Sequence, residues 1–563
     1  MFIADTPPET VIVTASRLPE KASETAASVT ILDRATIEHL APPTLGDLLR
    51  LVPSAAVATG GPAGSLTQVR IRGAEANHTL LTIDGIRAND PAAANEPRFE
   101  LLNADLASRV EVVRGPQSAL WGSEAIGGVI AVTGAGPEAG TQALVEAGSF
   151  GFGRAAARSS FGTNERFLSF AVAGQGARGI DSFNGDGDRD GYRNLGGRIA
   201  GQWRASPSLA FGGSGFALRG RSQFDGYDPL TFLHADTLDE TRNKLAAGRV
   251  FGELGRRETR YLSVSASLLG STNRNFLDEN FLNRTRARRR TASIEGGMAF
   301  GRHKLIVAAE DERERFRAMD TVYGGATDQR QSRAHRSLTA EWKSDFKVLR
   351  TDVSIRRDMF SRFADATSLR GSVVVPLRDG YEIAATYGEG IAQPSFFDLY
   401  GFFPGSFVGN PSLRPERSRG GEVSLRHRDS RLDWAITAYR QRLRNEIVGT
   451  FDPDTFLSST TNGEGKSRRR GVEVEAGWQA NAALRLAVTY AYLKSDEPGS
   501  GGALLREQRR PKHSGSVTVD GASGRLSYGA SVAFVGARVD TDFDRFPAER
   551  VRLSCYALVG GRL

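Results

Sequence analysis

The residues best able to do chemistry are aspartates crowded into one stretch, Asp181-Ser182-Phe183-Asn184-Gly185-Asp186-Gly187-Asp188-Arg189-Asp190-Gly191. Three carboxylates at alternate positions followed by glycine suit a hard cation held by oxygen. An EF-hand loop is excluded, because its twelfth position needs a bidentate glutamate and Gly197 stands there. Calcium takes about six to eight oxygens, so further ligands must come from elsewhere in the chain. The next acidic stretch supplies candidates in Asp225, Asp228, Asp236 and Asp239. Clustered carboxylates repel one another unless a cation sits among them. The plainer alternative is a solvated acidic loop.

A second kind of chemistry is main-chain pairing. Glu9-Thr10-Val11-Ile12-Val13-Thr14-Ala15 is short and β-prone, suited to lying extended along the edge of another sheet. Covalent chemistry finds no support. The seven histidines (His39, His78, His234, His303, His335, His427 and His513) lack metal-ligand spacing, and no Ser–His or His–carboxylate grouping stands out. Cys555 is the single cysteine, so neither an intramolecular disulfide nor a thiolate metal site can form.

The elements that position these groups fall into two kinds. From about Ala26 to Thr133 the pattern is compact and mixed. Ser28–Leu32 reads as a strand, Asp33 as the cap of a short helix, and Thr44–Val52 as a helix stopped by Pro53. Val69–Gly73, Thr79–Arg87 and Arg109–Pro116 read as strands ending in glycine turns, and Trp121–Ile130 closes the unit. From about Thr141 onward the period is two. Leu262, Val264, Ala266 and Leu268 alternate with Ser263, Ser265 and Ser267, and Val472 and Val474 alternate with Glu473 and Glu475. Leu432, Trp434 and Ile436, and the run Leu484, Leu486, Val488, Tyr490, behave likewise.

The chain has 563 residues, 40% of them hydrophobic, and a mean hydropathy of -0.32. No window offers the roughly 18 apolar residues that a membrane helix needs, but alternating barrel strands require none. The 64 glycines suit many tight turns. The net charge of +8 would fit nucleic acid, but there is no basic helix or aromatic-interleaved stripe. Arginines at an outer barrel rim, facing anionic lipid headgroups, account for it better. The expected division is 1–25 as an N-terminal extension, 26–135 as an α/β unit and 136–563 as a transmembrane antiparallel β-barrel.

In this setting the motifs resemble those of the TonB-dependent outer-membrane receptors. Glu9 to Ala15 is similar to a TonB box. Ile71-Arg72-Gly73, Ile83-Asp84-Gly85, Val112-Val113-Arg114-Gly115-Pro116 and Trp121-Gly122-Ser123 through Gly128 resemble the family's plug signatures, in family order. Gln393–Gly401 with Gly409–Glu416 resembles a further receptor signature in an extracellular loop. Arg72, Arg114, Asp84 and Glu111 read as ion-pair formers that hold the plug, because a plug in a watery lumen needs a polar, reversible seam. The resemblance implies a mainly β fold with a plug in the lumen of a 22-stranded barrel. About twenty strands are countable here. The chain ends at Leu563 in the middle of a strand run, without the family's terminal aromatic, which reads as a C-terminal truncation, with a smaller barrel as the alternative. Met1-Phe2-Ile3-Ala4 is too short for the hydrophobic core of a secretory signal, which an outer-membrane protein needs, so either the mature form or a misplaced start is expected.

Within the family the loops look like those of the cobalamin transporters. Carried over on that resemblance, calcium ligands fall on Asp181, Asp186, Asp188, Asp190, Asp225 and Asp239. Corrinoid contacts fall on the plug apices Ser65, Leu66, Gln68, Ala93 and Ala94, and on Arg506. Phe543 and Phe546 depart from the pattern, standing where tyrosines are usual. The implied activity is active import of cobalamin or another corrinoid, with calcium ordering the loops and no organic cofactor. The implied partners are the periplasmic energy-coupling protein TonB and outer-membrane lipid with lipopolysaccharide, for a monomer without nucleic acid. The alternative is a ferric-siderophore receptor. A haem receptor is disfavoured by the lack of histidine near Asn410-Pro411, and a passive porin or adhesin would need no plug. An enzyme is not expected.

Overall fold

The computed structural model describes residues 11–12, 15–134, 136–137, 140–183, 187–228, 231, 233–403, 405–481, 483–499, 503–545 and 548–563. Of the expected site residues, Glu9, Thr10, Val13, Thr14 and Asp186 lie outside them, as does Phe546.

The chain first forms a small mixed α/β unit. Strands β1 (Val11–Ile12) and β2 (Glu20–Lys21) pair as an antiparallel two-residue ladder, Val11 opposite Lys21 and Ile12 opposite Glu20. Next come β3 (Ser28–Leu32), α1 (Arg34–Leu40), α2 (Leu45–Leu49), β4 (Ala55–Thr59), β5 (Thr67–Ile71), β6 (Thr79–Ile83) and β7 (Ile86–Arg87). The unit ends with β8 (Arg109–Arg114), α3 (Ser118–Trp121) and β9 (Gly128–Thr133). One sheet has the order β3-β8-β9-β6-β7, with β6 and β9 parallel, and β4 and β5 form a separate hairpin. The expected cap at Asp33 holds, accepting from the Thr36 amide at 2.9 Å. The helix expected over Thr44–Val52 is shorter, Leu45–Leu49, with Thr44 as its cap, accepting from the Asp47 amide. Leu45, Leu48, Val69, Ile71, Leu81, Val110 and Ile130 form the core.

Around this unit runs one antiparallel sheet of 21 strands in nearly sequential order, from Gly140–Ala147 to Tyr556–Arg562. Leu504–Arg506 is a short member on the end of Leu484–Pro498, leaving twenty long ones, as the alternation predicts. Among the described residues no ladder joins the first strand to the last. The period-two runs face as expected. Leu262, Val264 and Leu268 point outward and exposed, while Ser263 is buried against the lumen. Phe216, Leu218, Leu245 and Leu269 instead face inward and join the plug's own core.

The two ends of the barrel differ. At one end consecutive strands are joined by two or three residues, as at 163–165, 207–208, 257–259, 301–302 and 347–348. At the other, long connections form structure of their own. Phe402–Phe403, Phe407–Val408, Ile447–Asp452 and Leu457–Asn462 make a four-stranded sheet, and Arg538–Asp542 pairs with Glu549–Leu553. The segment 15–20 lies at the short-turn end, where Leu18 packs with Tyr261 and Ile306. With segment 15–20 at the short-turn end and the long connections at the other, the two ends of the barrel are told apart.

Candidate functional site

The plug is held mainly by charge. Arg72 sits in the turn after β5 at φ 52°, and its guanidinium reaches Glu473 from Nε at 2.9 Å and from Nη2 at 2.7 Å. Its Nη1 donates to Glu422 at 2.5 Å, and the group lies 4.2 Å from the centre of the Tyr439 ring. Arg114 at the end of β8 adds a third donor to Glu473, at 3.0 Å, and also bonds Glu475. Arg72, Arg114 and Glu473 are each no more than 2% exposed. Burial alone would push the Arg72 guanidinium below its ordinary value, but the carboxylates of Glu473 and Glu422 leave it above. The expected polar seam is therefore present. Asp84 pairs with Arg198, and Glu111 with Arg109 inside the plug.

A second cluster ties down the segment that follows the N-terminal strand. Arg17 donates from its amide to Glu341 at 3.0 Å, from Nη2 to Glu310 at 3.0 Å and to the Leu120 carbonyl at 2.6 Å. Lys343 reaches Ser16 at 3.1 Å and pairs with Glu20 on β2. Arg356 joins the network through Glu310 and Asp358. Gly122, at φ 77°, lets Arg356 pass under α3, where a Cβ would lie 2.8 Å from the guanidinium. A third cluster joins Arg510 to Glu75 and to the Gly73 carbonyl, and Arg469 to Glu507 and Glu446. Opposing burial, Arg510 and Arg70 hold the Glu75 carboxyl well below its usual range.

At the long-loop end the two expected plug apices meet. Gln68 donates to both oxygens of Glu96 at 2.8 and 2.9 Å, tying the end of β5 to the turn that carries Ala93 and Ala94. Ala94 adopts φ 52° in that turn. Leu66 is 42% exposed, whereas Ser65 is buried within 3.5 Å of Ser222 on the wall. Arg506 stands apart from both apices, and its Nη2 donates to the carbonyls of Arg510 and Ala537, each at 3.1 Å. Leu66, Gln68, Ala93 and Ala94 thus reach the surface at this end, while Ser65 is buried and Arg506 stands on the wall.

The acidic loops meet only in part as expected. Asp188, Asp225 and Asp236 bring one carboxylate oxygen each within 4.8 Å of one another. Of the expected ligands this group contains Asp188 and Asp225. Asp181 and Asp190 are outside it, and Asp236 takes the place given to Asp239. The carboxylate of Asp239 is engaged elsewhere, accepting from the Asp278 amide at 3.0 Å. Asp190 is buried, bonded by Ser182, whose hydroxyl also reaches Asp225 at 2.6 Å. Its Oδ1 is buried without a hydrogen-bond partner. Three converging carboxylates beside that orphaned oxygen fit a hard divalent cation. The signal for Asp236 was its place in the same acidic stretch as Asp239. Only the bulge between Phe224 and Gly226 decides which of the two faces the 181–190 loop.

Sequence reading found the plug's arginines but not their partners. Glu310, Glu341, Glu422 and Glu473 are scattered over the wall, and only closure of the sheet gathers them.

The comparisons agree with this geometry. Residues 21–129 match the family described as TonB-dependent Receptor Plug Domain, and residues 137–560 match the family described as TonB dependent receptor-like, beta-barrel. Among solved structures, the siderophore receptor PirA from Acinetobacter baumannii superposes with a TM-score of 0.77 at 16% identity, over 95% of this chain and 91% of that one. A ferric enterobactin receptor mutant of Pseudomonas aeruginosa, in complex with enterobactin, gives 0.77 at 16%, over 96% and 91%. The ferripyoverdine receptor of the same organism, bound to ferripyoverdine, gives 0.76 at 16%, over 98% and 82%. With plug, barrel and their charged seam accounted for together, this chain belongs to the TonB-dependent receptors of the outer membrane.

Proposed function

We propose that this receptor imports an anionic ferric chelate of the siderophore class, drawing energy through TonB. This reverses the order of the sequence reading, which put a corrinoid first. The carrying observation is the mouth arginine Arg506, which has no ion pair among the described residues. Burial, then the neighbouring Arg552, push its guanidinium below the ordinary value, so an arriving anion would relieve it. The solved structures of similar fold are a siderophore receptor and receptors bound to enterobactin and to ferripyoverdine, which supports the same choice.

In this reading the ligand settles on Leu66, Gln68, Ala93 and Ala94 at the plug apices, with Arg506 on the wall. The Glu9–Ala15 segment is the TonB box. Its residues Val11 and Ile12 are paired with β2 and must leave that ladder before a strand of TonB can take the edge. The pull then acts on Ser16, Arg17 and Glu20, the residues clamped by Lys343, Glu310 and Glu341.

Binding is tested by titrating the purified receptor with ferric catecholate, ferric hydroxamate and cyanocobalamin while following tryptophan fluorescence. Saturable binding of a ferric chelate, weakened in Arg506→Ala, is the expected result. Binding of cyanocobalamin alone would restore the corrinoid reading.

That second reading keeps one specific observation, the Asp188–Asp225–Asp236 group. If calcium is held, these side chains with Asp190 hold it and it would tie the 181–190 and 225–236 loops together. Calcium should then raise the melting temperature of the receptor, and Asp225→Asn should abolish that rise while leaving the calcium-free melting temperature nearly unchanged. An equal calcium response in the variant would remove the site.

A further inference from the structure

The outward face of the barrel carries a block of arginines that import does not use. On strand Asn280–Phe300, Arg286, Arg288 and Arg290 are exposed and point away from the lumen. On the next strand, His303–Asp320, Arg313, Arg315 and Arg317 do the same. The register sets them directly opposite one another: Arg286 faces Arg317, Arg288 faces Arg315 and Arg290 faces Arg313. The rank of Arg286 and Arg317 continues to Arg330 on one side and, across Thr272, to Lys244 and Arg219 on the other.

Cross-strand neighbours lie about 5 Å apart, and like charges so placed repel. Carboxylates relieve the edges only. Asp311 pairs with Arg313 and Arg336, and Glu240 with Arg221 and Arg242. Among the described residues, no ion pair reaches Arg286, Arg288, Arg290, Arg315 or Arg317. Five of the six guanidinium groups on these two adjacent strands therefore lack a carboxylate and are open to anions from outside the protein.

Position identifies the anion. Towards the short-turn end the same two strands expose Ile294, Met298, Leu305 and Val307, the surface that acyl chains must cover. Towards the other end lie the long loops. The arginines stand at the boundary between the two, where a lipid places its headgroup.

We propose that this face is a binding site for a lipid bearing clustered phosphates in the outer leaflet. Its phosphates are held by Arg286, Arg288, Arg315 and Arg317, and its acyl chains lie on Ile294, Met298 and Val307. Guanidinium forks match phosphate oxygens in pairs, and a lipid with two phosphates spans two ranks of the block. The site is independent of what the receptor imports.

The test uses the full-length receptor in nonionic detergent, titrated with bis-phosphorylated lipid A, with the same lipid after dephosphorylation, and with inorganic phosphate, by native mass spectrometry. The wild type should hold the phosphorylated lipid, release it as salt is raised, and prefer it over both other probes. The Arg286→Gln/Arg288→Gln/Arg317→Gln variant should bind it roughly a hundredfold more weakly at low salt. The Arg256→Gln/Arg302→Gln variant, altered at the opposite end of the barrel, should match the wild type. Equal binding by the triple variant, or equal binding of the dephosphorylated lipid, overturns the proposal. Competition by inorganic phosphate at similar concentration overturns the lipid as its source. Should the triple variant fail to fold, the wild-type salt dependence and the phosphate-free lipid decide the matter alone.

Discussion

Glu473→Ala should loosen the plug more than any other single change in the wall. The carboxylate accepts from both Arg72 and Arg114, and neither guanidinium has access to water. Removing it leaves Arg72 with Glu422 and Arg114 with Glu475, each short of a partner in a buried setting. Breaking one side of a buried pair costs about 3–5 kcal/mol, because the remaining charge stays desolvated. The loss falls on plug seating rather than on the barrel ladders, which the side chain does not touch. Denaturant unfolding should show an earlier plug transition with the barrel transition unmoved, and cells carrying the variant should admit large antibiotics otherwise excluded. Glu473→Gln should be milder, since its amide oxygen still accepts from one arginine. An unchanged plug transition in Glu473→Ala would mean that Glu422 and Glu475 hold the plug by themselves.

Deletion of residues 9–15 should abolish uptake while surface binding of ligand persists. The reasoning is mechanical. Val11 and Ile12 make one short ladder with β2, and no described contact runs from them to the plug apices. Losing them removes the edge on which TonB would pair but leaves Gln68, Glu96 and Ala93 where they are. Ile12→Pro is the finer instrument, because it removes a main-chain donor and fixes φ at one position of the segment while leaving its length unchanged. Transport of radiolabelled ligand and its binding to energy-depleted cells, measured side by side, separate the two functions. Loss of both would sink the division of labour between box and apex.

Much of this was legible in the chain because it depends on local rules. Period two in Leu262–Leu268 and Val472–Glu475 determined which side chains face lipid and which face the lumen, since successive residues of a strand must alternate. Asp33 announced its helix by the chemistry of a cap. The glycine turn after Ile71 placed Arg72 where its strand ends; the strand read over Thr79–Arg87 is instead broken at Asp84-Gly85 into β6 and β7, and that turn directs Asp84 toward Arg198. The strand count of about twenty followed from the same alternation.

What the sequence could not determine is which distant groups meet. Glu473 was readable as inward-facing, but its pairing with Arg72, 401 residues away, exists only because the strand that carries it runs past the plug in the folded molecule. The choice of Asp236 over Asp239 rests on one bulge that reorients a strand end. The sequence suggested arginines at an outer rim but not which of them adjoin, because adjacent ranks on Asn280–Phe300 and His303–Asp320 become a surface only once their register is set. Sequence determined the direction each side chain takes from its own strand; closure of the sheet around the plug decided what it finds there.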